Sequence, residues 1–304
     1  MPFFSRHKAF SIFYMDEGPS DAPATVLLIP GFSCDMHDWS WQVPFLLSLN
    51  LRVISIDPRG QGRSSAPQPT NPHRLPPGSW PGPEGSADPD VIDYYPQSTA
   101  LDLIALLDHL GISKNLVVMA HSLGTAAAYF IAAERPGLAV ALVALDPIHA
   151  FTTEMHEQGD AMFDSAETIL SGVADHFNTH QYTPASPAWQ KTWHIRRMRQ
   201  LDDNVAFAIL WGGTGDPKDR IGSRENAVAL FGGRIKCPRL TFGSTDWYIE
   251  TDLKYMPKAD EKLDEIVMIG GKGHWFHQLE SEEFNAHLER WLSKVGVLPV
   301  KTAE

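Results

Sequence analysis

The sequence predicts an α/β fold, a mostly parallel sheet flanked by helices. Six short aliphatic runs alternate with longer helical patterns, and runs without strict polar alternation are typical of strands covered on both faces. The predicted strands are residues 25–29, 52–56, 115–120, 141–145, 239–242 and 265–269. Strands that alternate with helices along a chain favour a parallel sheet.

Helices are predicted between these strands. Residues 98–112 have apolar side chains at helical spacing, with Gly111 as the expected C-cap. Residues 122–135 are rich in alanine, and residues 281–295 begin with serine followed by acidic residues. Residues 11–15 are expected to form an antiparallel edge strand.

Two segments interrupt this alternation. Residues 66–96 contain nine prolines and are predicted to form a long surface loop, which could line a site entrance. Residues 150–236 are too long for a simple connection between strands and are interpreted as an inserted helical cap. The predicted core therefore consists of residues 1–149 and 237–304.

Composition restricts the kinds of partner that the chain can have. The 304 residues carry a formal net charge of −12, which argues against a nucleic-acid surface and an anionic membrane surface. Two cysteines cannot form a disulfide framework, and no segment has the pattern of a signal peptide or a membrane helix. We expect a cytoplasmic protein that acts on a small molecule, and the oligomeric state is left open.

The end of the third predicted strand contains the candidate nucleophile. In the sequence Ala120-His121-Ser122-Leu123-Gly124, small residues stand two positions before and two after Ser122. A strand that turns sharply into a helix needs small residues at these positions, and it exposes the hydroxyl of the serine between them. The pattern predicts a nucleophile elbow with Ser122 at its tip.

A serine hydroxyl needs a general base, and the base needs an anion that orients it. His274 follows the last predicted strand in a glycine-rich loop and is the favoured base, ahead of His277 and His121. Two acidic residues follow neighbouring strands and precede His274 in the chain. Asp246 is favoured as the acid, and Asp146 is the alternative.

Charge on a substrate oxygen requires preorganised N–H donors. The backbone N–H groups of Leu123, at a helix start, and of Phe32, in the turn after the first predicted strand, are the candidates. Candidate substrate contacts are His121, Trp247, Trp275 and Cys34.

Five motifs together resemble the α/β-hydrolase family along nearly the whole chain. They read LLIPGFS, SIDPRGQGRSS, AHSLG, GSTDW and GGKGHW, in the order and at the spacing of that family. The resemblance implies Ser122 as nucleophile, His274 as base, Asp246 as acid, and Phe32 and Leu123 as oxyanion donors. The chain departs from the family by having Pro30-Gly31 where His-Gly is usual.

The Pro-Gly-aromatic turn also resembles that of cofactor-free dioxygenases that open hydroxy-oxoquinoline rings. In that subgroup the acid follows the fourth strand, where this chain has Asp146, and a substrate-binding histidine stands where this chain has Cys34. The resemblance implies an alternative in which the His/Asp pair deprotonates the substrate.

Neither a metal nor another cofactor is expected from the sequence. The chain has no closely spaced cysteine pair, no HExxH motif, no Walker loop and no dinucleotide-binding glycine loop. The expected function is a serine hydrolase acting on an ester, a lactone or a related acyl bond of a small apolar or aromatic substrate. The alternative is a cofactor-independent dioxygenase or lyase.

Overall fold

A computed structural model describes residues 2–70, 92–149, 166–215, 228–229, 231–256 and 258–299. Its centre is an eight-stranded sheet in the order β1-β2-β4-β3-β5-β6-β7-β8. The strands are β1 Phe3–His7, β2 Phe10–Glu17, β3 Thr25–Ile29, β4 Arg52–Ile56, β5 Leu116–His121, β6 Ala139–Leu145, β7 Arg239–Gly243 and β8 Glu265–Met268. Neighbours from β4 to β8 are parallel, whereas β1 and β2 pair antiparallel at one edge.

This arrangement confirms the predicted fold class. All six predicted strands are present, and the predicted edge strand lies within β2. Strand β1 was not predicted.

Helices cover both faces of the sheet. They are α1 Gln42–Ser48, α2 Pro96–His109, α3 Gly124–Glu134, α4 Ala166–His176, α5 Ala188–Met198, α6 Asp203–Leu210, α7 Asp246–Tyr255, α8 Phe276–Leu279 and α9 Ser281–Lys294. Helix α3 begins two residues later than expected, because Ser122 and Leu123 form the turn that leads into it.

Alternate side chains of each central strand enter two different cores. Leu27 of β3 packs in a cluster that contains Phe130 of α3. Its neighbour Leu28 points to the other face and packs in a cluster that contains Trp291 of α9. The sheet is thus buried on both sides, which explains why its strands read as continuous apolar runs.

The described residues between β6 and β7 are mainly helical. They include α4, α5 and α6, together with short π-helical segments at Phe177–Gln181 and Trp211–Gly215. The division into a core and a cap at residues 150–236 stays a prediction, and residues 150–165, 216–227 and 230 of the cap lie outside the described residues.

Most of the proline-rich segment, residues 71–91, also lies outside the described residues. None of the described helices is long and apolar enough to cross a membrane.

Candidate active site

Ser122 occupies a tight turn between β5 and α3. Its φ of 51° lies in the left-handed region, which non-glycine residues adopt rarely and mainly at functional sites. Its backbone N–H donates to the carbonyl of Leu145 at 2.8 Å, so the turn is tied to the end of β6. A Cβ on Gly124 would lie 2.5 Å from the carbonyl oxygen of Pro30, which explains why the turn requires glycine there.

The turn after β3 lies directly against the serine. A Cβ on Gly31 would lie 3.0 Å from the Cβ of Ser122. Leu123 is the N-cap of α3, and the first N–H groups of a helix have no intrahelical acceptor. The two segments expected to supply oxyanion donors, those of Phe32 and Leu123, therefore flank the serine. Their role as donors stays a prediction.

A cavity borders these two segments. Its lining includes Gly31, Leu123, Tyr94 and Ile209, and the charged side chain of Arg59 also reaches it. The cavity therefore combines apolar walls with the backbone of the predicted oxyanion turn.

His274 lies in the loop between β8 and α8, as expected. Its backbone N–H donates to the carbonyl of Gln181 at 2.9 Å, and a Cβ on Gly273 would lie 2.6 Å from that same oxygen. Residues between β6 and β7 therefore fix the histidine loop. No hydrogen bond in the described part of the chain joins the hydroxyl of Ser122 to His274, but such bonds are often long before substrate binds.

The preference for Asp246 as the acid was wrong. Oδ2 of Asp146 lies 2.7 Å from Nδ1 of His274, and the carboxylate is fully buried. Asp246 is exposed at the start of α7. Ser244, which directly follows β7, contacts Asp146 instead. Its backbone N–H and its hydroxyl donate to the carboxylate of Asp146 at 2.7 Å and 2.6 Å.

Burial shifts both titrating groups of this pair. It lowers the pKa of His274 well below the usual value, with the neighbouring His121 acting in the same direction. The imidazole is therefore neutral at pH 7, as a general base must be. Burial raises the pKa of Asp146 to about 7, although the hydrogen bonds from Ser244 act in the opposite direction.

His121 lies directly beside this pair. It is buried, and its Nε2 lies 3.0 Å from the carbonyl of His274. That carbonyl can only accept, so Nε2 carries the hydrogen. Its ring packs against those of His274 and His277. Substrate contact by His121 stays a prediction.

Sequence reasoning missed a buried carboxylate next to His121. Asp38 follows β3 in the 3-10 helix Met36–Trp39 and is fully buried. Its Oδ1 accepts hydrogen bonds from Arg197 at 3.0 Å and from Gln278 at 2.9 Å. These residues are far apart in the chain, so no motif indicated that they meet.

The other candidate substrate contacts have different surroundings. Trp275 is buried and packs against Phe177, Tyr182 and His194. Cys34 is also buried, and its sulfur accepts from Arg197 at 3.5 Å. Trp247 is partly exposed and packs against Tyr248. Substrate contact by Trp275, Cys34 and Trp247 stays a prediction.

The chain belongs to the α/β-hydrolase family. The family model described as "Alpha/beta hydrolase family" matches residues 26–287, which include the elbow, Asp146 and His274.

Individual relatives agree with this classification. The bifunctional esterase/perhydrolase DCH of Acinetobacter calcoaceticus is 28% identical over 192 residues, covering 62% of this chain and 60% of the relative. The chain spans smaller shares of the other curated relatives that it matches.

Two solved structures have the same fold. An esterase from Exiguobacterium antarcticum has a TM-score of 0.71 at 15% identity, covering 96% of this chain and 98% of that chain. The enol-lactonase from Burkholderia xenovorans LB400 has a TM-score of 0.68 at 17% identity, covering 96% and 100%. At these identities the likeness concerns the fold alone.

Proposed function

We propose that the protein is a serine hydrolase that cleaves an ester, a lactone or a related acyl bond of a small apolar or aromatic substrate. The observation that carries the proposal is the left-handed turn at Ser122, which presents a hydroxyl between a strand end and a helix start. The cavity beside Gly31 and Leu123 supports a small apolar acyl group, because its lining includes Tyr94 and Ile209.

In this mechanism Ser122 attacks the substrate carbonyl while Nε2 of His274 takes the hydroxyl proton. Nδ1–H of His274 donates to Asp146, which fixes the tautomer that leaves Nε2 free to accept. The N–H groups of Phe32 and Leu123 bind the oxyanion, and one such donor is worth about 3–4 kcal/mol in the transition state. His274 then protonates the leaving group and activates the water that hydrolyses the acyl-enzyme.

A fluorophosphonate probe and a panel of chromogenic esters and lactones test this proposal. We expect stoichiometric labelling of Ser122 and turnover of at least one class of substrate, both lost in Ser122→Ala. Ser171→Ala is the matched control, because that serine is exposed on α4. Turnover of the panel that persists in Ser122→Ala would exclude an acyl-enzyme on this residue.

A second candidate is a cofactor-independent oxygenase or lyase in which Asp146 and His274 deprotonate the substrate. The position of Asp146 after β6 favours it, because the dioxygenases that the turn at Pro30-Gly31-Phe32 resembles have their acid at this place. Cys34 stands where those enzymes have a substrate-binding histidine, which weighs against it. Oxygen consumption with a hydroxy-oxoquinoline, retained in Ser122→Ala, would favour this candidate over the hydrolase.

A further inference from the structure

Three buried side chains behind the elbow direct donor atoms at a common point. Oδ2 of Asp38 lies 3.5 Å from Nδ1 of His121 and 3.8 Å from Nε2 of His277. One possible ligand atom from each of the three residues lies within 4.8 Å of those of the other two, and the three residues are buried. None of these atoms has a hydrogen-bond partner within the described residues.

These separations are too long for hydrogen bonds, which join nitrogen and oxygen at about 2.7–3.2 Å. They are close to the edge of a ligand tetrahedron. Bonds of about 2.0–2.2 Å from Zn²⁺ to imidazole nitrogen and carboxylate oxygen place tetrahedral ligands about 3.3–3.6 Å apart. A small inward movement would bring the three atoms to that spacing.

The outer atoms of Asp38 and His121 are already engaged, as is usual around a metal, whereas Nδ1 of His277 has no hydrogen-bond partner among the described residues. Oδ1 of Asp38 accepts from Arg197 and Gln278, which leaves Oδ2 as the oxygen that faces the histidines. Nε2–H of His121 donates to the carbonyl of His274, so in the neutral imidazole Nδ1 presents its lone pair. Histidine ligands commonly donate their second N–H to a backbone carbonyl in this way.

We propose that Asp38, His121 and His277 bind a transition-metal ion, with Zn²⁺ as the best match. Two imidazoles and one carboxylate suit Zn²⁺ better than Mg²⁺ or Ca²⁺, which prefer oxygen ligands. The metal would join the segment after β3, the end of β5 and helix α8. It would hold His121 in place and, through the hydrogen bond to His274, position the histidine loop.

This proposal goes beyond the hydrolase function and does not depend on it. It also departs from the expectation of no metal, because its ligands lie on three distant segments and form no motif. The metal takes no part in the acyl-transfer steps.

Zinc content tests the proposal directly. The full chain is loaded with Zn²⁺, passed through a desalting column in metal-free buffer and assayed by elemental analysis. We expect about one zinc per chain in the wild type and at least a tenfold lower content in Asp38→Asn and His277→Gln. The control is the double variant His176→Gln/His180→Gln, which removes a stacked histidine pair on another part of the chain and should keep its zinc.

Measurements on the wild type keep the test valid if a variant fails to fold. Co²⁺ should give the intense visible bands of a tetrahedral site, and chelation should lower the melting temperature. A zinc-free wild type after loading, or full zinc content in folded Asp38→Asn and His277→Gln, would overturn the proposal. Loss of the metal in the double variant alone would place the metal at His176 and His180 instead and would overturn it equally.

Discussion

Oδ2 of Asp146 lies 2.7 Å from Nδ1 of His274, and both side chains are buried at the carboxyl edge of the sheet. Asp146 has a φ of 42°, in the left-handed region, as has Ser122. Because Ser122 is hydrogen-bonded to Leu145, the residue before Asp146, the acid and the nucleophile belong to one connected framework. The geometry therefore makes Asp146 the orienting acid of the proposed mechanism.

Replacing this acid should abolish most of the activity. We expect Asp146→Asn to lower kcat by about 10³–10⁴-fold, because an amide favours the wrong tautomer of His274 and does not stabilise the imidazolium. Asp246→Asn is the matched control, and it should change kcat less than threefold because Asp246 is exposed. Steady-state kinetics on an ester or lactone substrate measures both. Equal losses in the two variants would contradict the assignment.

Ser244 should determine the acidic limb of the pH profile. Its two hydrogen bonds favour the ionised form of Asp146 and so lower the pKa of that carboxyl group. Removing its hydroxyl in Ser244→Ala should raise this pKa, so the pH at which kcat/KM falls to half should move upward by about 0.5–1 unit. The measurement is kcat/KM between pH 5 and 9.

The variant Ser244→Thr retains a hydroxyl and provides the control. The midpoint of its acidic limb should lie closer to that of the wild type than the midpoint of Ser244→Ala does. A purely structural defect would lower the whole profile of Ser244→Ala without moving its midpoint, and that result would contradict the prediction.

Much of the fold was predictable because its signals are local. The apolar runs of β3 and β4 have the exact bounds expected from the sequence, and the spacing around Ser122 indicated the elbow. Strand β1 was missed because its sequence, FFSRH, is short and lacks a clear pattern. The acid was misassigned because Asp146 and Asp246 both follow strands, and strand ends alone do not tell which side chain faces His274.

The remainder of the site depends on long-range contacts. Asp38 meets His121, Arg197 and His277 only through the fold. Neither the spacing nor the residue types around Asp38 distinguish it from an exposed aspartate of a helical turn. A single sequence contains no local signal for a buried carboxylate whose partners lie on distant segments of the chain.

Gly124 should be essential for the geometry of the elbow. The Cβ of Gly124→Ala would lie 2.5 Å from the carbonyl oxygen of Pro30 and 2.8 Å from that of Ile29, so α3 or β3 must shift. We expect the free energy of unfolding to fall by about 1–3 kcal/mol, as at other overpacked sites. We also expect kcat to fall at least tenfold. Urea unfolding and steady-state kinetics measure these effects.

Gly270→Ala is the control for this substitution. The nearest atom to its Cβ would be 3.6 Å away, which is an ordinary contact. Its stability should stay within about 1 kcal/mol of the wild type, the usual range where a backbone conformation tolerates alanine. If Gly124→Ala were as stable and active as Gly270→Ala, the close approach of the elbow to β3 would be refuted.

Buried histidines should make the protein sensitive to mild acid, and His149 offers a clear test. Burial lowers its pKa from 6.5 to about 4, with Asp252 opposing the shift. Between these two pH values the unfolded chain binds a proton at this residue and the folded chain does not. The free energy of unfolding should therefore fall by up to about 1.4 kcal/mol per pH unit for this histidine as the pH decreases from 6.5 towards 4.

In His149→Gln this contribution disappears, so the free energy of unfolding should depend less steeply on pH in that window. Urea unfolding at pH 7.5, 6.5, 5.5 and 4.5 measures the slope for the wild type and the variant. His180→Gln is the control, because His180 is exposed, and its slope should equal that of the wild type. Equal slopes for all three proteins would show that His149 binds a proton as readily in the folded state as in the unfolded state, contrary to its burial beside Tyr129.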